Sequence, residues 1–197
     1  MAVNLSAKQL QLKHFPETVE RVLAETGLSP SFLDLELTET ALMMNLEEAS
    51  KLIDRLRQLG VSIAIDDFGT GYSSLGYLRT LSFNSLKIDR SFVADLTIDA
   101  KARAVAEGLI DLAHRLRLKV TAEGVETPEQ LAYLSRSGCD YFQGYLASKP
   151  VAPQRFEQLL RDGGQITALA KVLQSAPSSK LTTGRRVGVP ALTANRG

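Results

Sequence analysis

The sequence predicts an α/β domain whose parallel strands line a barrel. Two observations lead to this fold class. Short apolar runs alternate with helical patterns over residues 1–164, which is typical of repeated β–α units. Almost every predicted strand also carries a polar residue near its carboxyl end, opposite its apolar face. A doubly wound sheet is apolar on both faces, so the second observation favours a barrel with chemistry at its C-terminal mouth.

The strand predictions depend on the alternation of apolar and polar side chains, because successive residues of a strand point to opposite faces. In 33–37, for example, three leucines oppose Asp34 and Glu36. The predicted strands are 2–4, 33–37, 62–66, 85–89, 119–124 and 141–145. The polar residues that we expect to face inward, or to lie at the rim, are Asn4, Glu36, Asp66, Asp67, Lys87, Glu123 and Gln143.

The helix predictions depend on caps and on apolar residues at helical spacing. Pro16 stands at a favourable first position, and Leu52, Leu56 and Leu59 form one stripe that stops at Gly60. The remaining helices show the same apolar spacing or the same caps. The predicted helices are 16–26, 45–60, 99–118, 127–138 and 152–164.

Two adjacent carboxylates, Asp66 and Asp67, end the most apolar strand and precede a turn rich in Gly, Thr and Ser. Neighbouring strand residues point apart, so both can reach one ligand only if the backbone turns after Asp66. We expect Asp67 to swing over the rim and the pair to hold divalent cations, with Asp66 as a bridge. The alternative is a simple capped turn. A protein-kinase interpretation of "DFG" fails, because no HRD-type segment is present.

Composition restricts the kind of metal and the class of protein. The chain has one cysteine, Cys139, and two histidines, which excludes an intramolecular disulfide and a zinc site of the Cys/His type. Oxygen ligands favour Mg²⁺, Mn²⁺ or Ca²⁺. A single cysteine fits a reducing compartment, so we expect the cytoplasm. The sequence predicts no membrane segment, and the body is too acidic for a nucleic-acid binder.

The last part of the chain differs from the rest. All 22 acidic residues precede Gln165, whereas five basic residues follow it. The composition predicts a barrel domain at 1–164 and a basic, disordered tail at 165–197. The pair Arg185–Arg186 is better explained as part of a solvated tail than as an anion site.

Six segments together resemble the EAL domain family of bacterial cyclic di-GMP phosphodiesterases. They are "VNLS", "LELTET", "AIDDFGTGYSSL", "LKIDRSFV", "VTAEGVET" and "YFQGYLASKP", and the likeness covers residues 2–163. The resemblance implies a modified TIM (β/α)8 barrel that uses Mg²⁺ or Mn²⁺, two ions in all, to hydrolyse cyclic di-GMP to linear pGpG.

The resemblance also implies roles for individual residues. Asn4, Glu36, Asp66 and Asp67 resemble the metal ligands, and Glu123 resembles a metal-associated acid that serves as general base. Lys87 resembles the lysine that holds the attacking water and the phosphate, Gln143 resembles an active-site residue near substrate, and Glu39 resembles a glutamate that holds the loop after Asp67. Family members dimerise through that loop, so a homodimer through the Asp67–Ser74 region is implied.

One departure from the family pattern changes the expectation for activity. No Glu-Ala-Leu strand precedes Asn4, so the chain matches six of the family's eight strands. The missing segment carries a metal ligand and a phosphate-binding arginine, and we therefore expect weak or absent turnover from this chain. The alternatives are a non-catalytic module that binds cyclic di-GMP or a protein, and a barrel completed by strands from elsewhere.

Overall fold

The computed structural model describes residues 1–70 and 76–162, and within them six parallel strands form one sheet. Each strand pairs with the next one along the chain, in the order β1 to β6. Helical crossovers separate the strands, and together they make a half-barrel. The strands are β1 Ala2–Asn4, β2 Asp34–Thr38, β3 Ser62–Phe68, β4 Ser85–Ile88, β5 Lys119–Ala122 and β6 Tyr141–Phe142. The predicted incomplete (β/α)8 barrel is confirmed.

Five helices correspond to the predicted ones: α2 Phe15–Thr26, α4 Leu46–Gln58, α7 Ala100–Arg115, α8 Pro128–Arg136 and α9 Pro153–Asp162. The described residues add four short α-helices, which follow the first four strands: α1 Ala7–Leu10, α3 Glu39–Met43, α5 Gly76–Thr80 and α6 Arg90–Ala94. A 3₁₀ helix at Pro30–Phe32 precedes β2. Thr38 caps α3, and Asp89 caps α6. Sequence periodicity missed these helices because four or five residues are too few to show a helical repeat.

The core lies between the outer face of the sheet and the long helices. Leu37, Ile63, Ile65, Leu86 and Val120 are all essentially inaccessible to solvent. They pack in one cluster with helix residues that include Leu52, Leu56, Ile110 and Leu134. Each such side chain contributes about 1.5–3 kcal/mol when it is fully buried. The predicted apolar outer face is therefore the face that holds the helices.

Three predicted strand ends are wrong by two residues or more, and those of β2 and β4 are wrong by one. β3 continues to Phe68, whereas β5 ends at Ala122 and β6 has only two residues. After β6 the chain turns, because the amide of Ala147 donates to the carbonyl of Gly144. The alternation of polar and apolar residues cannot show where a strand stops pairing with its neighbour, because the alternation continues beyond the last paired residue.

The two outer strands differ from the four central ones in exposure. All three residues of β1 are exposed, and Tyr141 of β6 is exposed as well. The inner face of the half-barrel is therefore open at both sides in the part of the chain that the structure describes. Within that part, no helix is long and apolar enough to cross a membrane. The predicted tail at 165–197 lies outside the described residues, as does the end of the first domain at 163–164.

Candidate functional site

A bulge in β3 brings the two adjacent aspartates to the same side of the sheet. The register with β4 shifts between Ile65 and Phe68, and Asp67 has a φ of 53°. Its amide donates to Oδ1 of Asp66 at 3.0 Å. The sequence predicted a turn after the strand, but the strand resumes at the buried Phe68, so that prediction is corrected to a bulge. One residue in the left-handed region reverses the local direction and lets both carboxylates face the site.

Glu123 completes a cluster of three carboxylates with these aspartates. Oxygen atoms of Asp66, Asp67 and Glu123 all lie within 4.8 Å of one another. Glu123 follows β5 directly, and its amide still donates to the carbonyl of Ile88 on β4 at 3.0 Å. The cluster therefore joins the carboxyl ends of β3 and β5, which is the side where barrel proteins carry their chemistry.

Lys87 lies among the carboxylates and donates to three of them. Its Nζ atom is 2.8 Å from Glu36 Oε2, 3.0 Å from Asp66 Oδ1 and 2.6 Å from Glu123 Oε1. Glu36 belongs to β2, two strands away from Lys87 on β4. The residue paired with Glu36 on the intervening strand is the fully buried Ala64, whose small side chain leaves room for this contact.

The electrostatics of the site leave it with excess negative charge. Burial acts to lower the pKa of Lys87, but hydrogen bonds to Glu123, Glu36 and Asp66 outweigh burial and raise it. Burial raises the pKa of Glu123 despite the hydrogen bond from Lys87. Burial raises the pKa of Asp67 as well, and the neighbouring Asp66 adds to this effect. One ammonium group faces four carboxylates, and oxygen donors with surplus negative charge are what a hard divalent cation requires.

Asn4 and Gln143 lie at the two open sides of the site and are exposed. Asn4 aligns with Glu36 in the register of β1 and β2. Gln143 follows β6, and its amide donates to the carbonyl of Ala122 at 2.8 Å, next to Glu123. The structure therefore gathers Glu36, Asp66, Asp67, Lys87 and Glu123 closely. It leaves the other two residues on the rim beside them.

Glu39 is buried at the start of α3, next to the segment that follows β3. Its Oε2 accepts a long hydrogen bond of 3.4 Å from the amide of Gly69. Tyr77 on α5 is buried, and burial followed by the negative charge of Glu39 raises the pKa of this phenol. Glu39 therefore contacts the beginning of the loop after Asp67, whose residues 71–75 lie outside the described part of the chain.

Gln130 is a buried polar residue of α8 that sequence analysis did not select. It forms a capping box with Thr127 and contacts the segment behind Glu123. The pattern T-x-x-Q before an apolar run was a visible signal for the box. It gave no sign that the glutamine would be buried, because capping-box residues usually lie at the protein surface.

A family model described as "EAL domain" matches residues 1–150 of the chain. Among curated proteins, the cyclic di-GMP phosphodiesterase NbdA of Pseudomonas aeruginosa is 48% identical over 161 residues, which are 82% of this chain and 21% of NbdA. The chain thus spans about a fifth of the length of the curated relatives it matches.

Solved structures agree with this match. The structure titled "PaMucR Phosphodiesterase, c-di-GMP complex" superposes with a TM-score of 0.75 at 41% identity, covering 79% of this chain and 63% of that chain. A manganese and cyclic di-GMP complex of Klebsiella pneumoniae BlrP1 superposes with a TM-score of 0.71 at 33% identity, covering 76% of this chain and 38% of that one.

Proposed function

This chain belongs to the EAL domain family, and from that membership we propose that it hydrolyses cyclic di-GMP to linear pGpG. The observation that carries the proposal is the buried group of Lys87 with Glu36, Asp66 and Glu123 at the carboxyl ends of the strands. Burying three carboxylates and a lysine costs several kcal/mol for each charged group. Charged groups buried together at such a cost are typical of functional sites, and here they can bind cations and phosphate.

We propose that the site holds two Mg²⁺ or Mn²⁺ ions. Asp66, Asp67 and Glu123 supply the closest set of oxygen atoms, and Glu36 and Asn4 extend this set toward β1. The ligand atoms of this site are the hard oxygen atoms that Mg²⁺ and Mn²⁺ prefer, so the residues present fit the metal. When bound, such ions lower the pKa of water and neutralise phosphate charge.

The side chains have separate tasks in the proposed reaction. Glu123 accepts a proton from the attacking water, whose oxygen bonds to phosphorus while the bond from phosphorus to the ribose 3′ oxygen breaks. That oxygen leaves as a hydroxyl after it takes up a proton from solvent water, and Glu123 returns its proton to solvent. Lys87 donates to a phosphate oxygen, where negative charge increases. Its three ammonium hydrogens already face carboxylates, so phosphate contact requires the exchange of at least one of them.

Two further residues have proposed roles at the edges of the site. Gln143 lies on the rim next to Glu123, where its amide group can contact the substrate. Glu39 holds the segment after Asp67 through Gly69 and so maintains the position of the bulge. Both roles are supported by location and by the family resemblance.

Chromatography of reaction products tests the proposed activity. The chain is incubated with cyclic di-GMP and Mg²⁺ or Mn²⁺, and we expect linear pGpG at a low rate that EDTA abolishes. Glu123→Gln keeps the size of the side chain and removes the base, so we expect a loss of at least about 100-fold. Glu129→Gln, on the exposed side of α8, is the matched control.

Three results would contradict the proposal: turnover that Glu123→Gln leaves unchanged, a different product, or no turnover at all. Calorimetry with cyclic di-GMP in Ca²⁺ then separates the alternatives. Tight binding without hydrolysis in Mg²⁺ supports a non-catalytic binding module, which the open sides of the half-barrel would allow. If the chain neither binds nor hydrolyses cyclic di-GMP, the remaining alternative is a module that binds another protein.

We also propose that the chain acts in the bacterial cytoplasm as a homodimer through the Asp67–Ser74 region. Residues 71–75 of that region lie outside the described part of the chain. Sedimentation velocity over a range of concentrations tests the dimer, and a single monomeric species at every concentration would exclude it.

A further inference from the structure

We propose that Gln130 is a positioning residue that fixes the segment Glu123–Thr127 against α6 and thereby holds Glu123 at the metal site. The inference rests on the proposed function, because it assigns Glu123 to metal. It adds a residue of α8 to the machinery, although this residue does not touch the carboxylate cluster. We call the segment Glu123–Thr127 the β5–α8 loop.

The amide of Gln130 joins two parts of the chain that are far apart in sequence. Its Oε1 accepts from the amides of Glu126 at 2.8 Å and Thr127 at 3.0 Å. Its Nε2 donates to the carbonyls of Val93 at 3.2 Å and Ala94 at 3.4 Å. The residue is only 6% exposed. Its amide oxygen accepts from two backbone amides, and its amide nitrogen donates to two backbone carbonyls.

No other natural side chain of this size reproduces that pattern. The carbonyls of Val93 and Ala94 belong to the last turn of α6. The carbonyl of Val93 already accepts from the amide of Leu96 at 3.3 Å, so Nε2 of Gln130 is an additional donor there. The amides of Glu126 and Thr127 precede the first turn of α8, where amides are left without partners. A carboxylate can satisfy the amides but not the carbonyls, and a methionine can satisfy neither.

We call the hydrogen bonds of Gln130 to the β5–α8 loop and to α6 the tether. The position of α6 connects this tether to Lys87. The helix begins at Arg90, three residues after Lys87, and only one residue separates it from the end of β4. The β5–α8 loop lies directly on its first residue, because a Cβ on Gly124 would be 2.5 Å from Cβ of Arg90. The loop is thus held at Gly124 by packing and at Glu126–Thr127 by Gln130. Both attachments set the loop relative to the strand that carries Lys87.

The same loop also carries the segment with Gln143. The amide of Val125 donates to the carbonyl of Gln143, and the amide of Leu146 donates to the carbonyl of Val125. A shift of the β5–α8 loop would therefore move Glu123 and Gln143 together. An ordinary capping box would affect only the stability of α8, and this difference makes the inference testable.

The variant Gln130→Glu tests the tether, because it keeps the oxygen that caps α8 and loses the donors to α6. We expect the Mn²⁺ dissociation constant, measured by electron paramagnetic resonance, to rise at least five-fold in a protein that remains folded. Hydrogen exchange should accelerate in residues 123–127 more than elsewhere. Gln9→Glu is the matched control, since Gln9 fills the same capping-box position in α1. It should change neither measurement.

The proposal is overturned if folded Gln130→Glu binds Mn²⁺ as the unchanged chain does, or if exchange accelerates uniformly. Gln130→Met is measured in parallel in case the buried charge prevents folding. The unchanged chain supplies a test that needs no variant: rapid exchange at the amides of Glu126 and Thr127 would overturn the tether. If the unchanged chain binds no Mn²⁺, the proposed metal site fails, whereas slow exchange at those amides would still support the anchoring by Gln130.

Discussion

The ammonium of Lys87 lies 2.6 Å from the carboxylate of Glu123, and neither side chain is more than 18% exposed. The two residues come from adjacent strands, β4 and the end of β5, and Glu36 and Asp66 contact the same ammonium. A lysine in this position balances part of the negative charge at the site. Removing one partner of a buried ion pair leaves the other charge buried and uncompensated, which costs more than the pair itself contributes to stability. Lys87 and its carboxylate partners are therefore sensitive to substitution.

Lys87→Met should destabilise the metal-free protein by about 3–5 kcal/mol, because it leaves several buried carboxylates without a counter-charge. Mn²⁺ should restore more stability to this variant than to the unchanged chain, since the ion supplies the missing positive charge. Urea unfolding with and without Mn²⁺ measures both effects. Lys101→Met, at an exposed position of α7, is the control. Equal stability of Lys87→Met and the unchanged chain without metal would show that the buried lysine is not needed for charge balance.

Asp67→Asn should fold with nearly unchanged stability and bind Mn²⁺ at least about ten-fold more weakly. Asparagine adopts a positive φ as readily as aspartate does, so the bulge at φ 53° should persist. The substitution removes one negative oxygen donor from the cluster. Asp54→Asn, exposed on α4, provides the comparison in the same titration. Unchanged Mn²⁺ affinity in Asp67→Asn would remove this residue from the proposed ligand set.

Gly144→Ala should cost about 3 kcal/mol or more, since overpacking at a backbone contact forces the chain to shift. A Cβ at this position would clash with the backbone of Val125 in the β5–α8 loop. Gly108→Ala is the matched control, because a Cβ there meets no atom within 4 Å. That change should stabilise α7 by about 0.5–1 kcal/mol. Chemical denaturation measures the unfolding free energy of both variants. Unchanged stability of Gly144→Ala would mean that the turn after β6 has more room than the structure gives it.

Asp140→Asn should lower stability at pH 7 by about 1.5–3 kcal/mol, which is the value of a hydrogen bond to a charged group. Asp140 accepts from His114 of α7 at 2.8 Å, from Lys119 at 2.6 Å and from the amide of Val120 at 3.0 Å. Burial acts to raise the pKa of Asp140, but the hydrogen bonds from Lys119, His114 and Val120 outweigh it and lower the pKa.

The sign of the pH effect follows from that lowered pKa. A carboxyl group whose pKa is depressed in the folded state contributes its stability above the ordinary value of about 3.9 and loses it as the pH falls through the folded value. The difference between the unchanged chain and Asp140→Asn should therefore be full at neutral pH and shrink below about pH 4. Thermal unfolding between pH 3 and pH 7 measures it. A difference that grows as the pH falls would have the wrong sign.

The alternation of residues along the strands was sufficient to predict the fold class and the inner face. Successive strand residues point to opposite sides, so the period of two assigns Glu36, Asp66 and Lys87 to the face opposite the leucines and isoleucines. The same strand pattern selected Asn4, Asp67, Glu123 and Gln143 as candidates, and the family resemblance added Glu39. The structure places all five at the same end of the sheet. These features could be predicted because they depend only on neighbours in sequence.

The contacts within the site could not be predicted in this way. Lys87 meets Glu36, 51 residues earlier in the chain, because strand register and the curvature of the sheet bring them together across Ala64. The sequence "DDFG" is equally compatible with a turn and with a bulge, and the choice depends on the burial of Phe68 and on pairing with β4. Gln130 has a local pattern that predicts a surface cap. Its burial depends on contacts with Val93 and Ala94, which lie 37 and 36 residues earlier in the chain. Local preferences carry no information over such a distance.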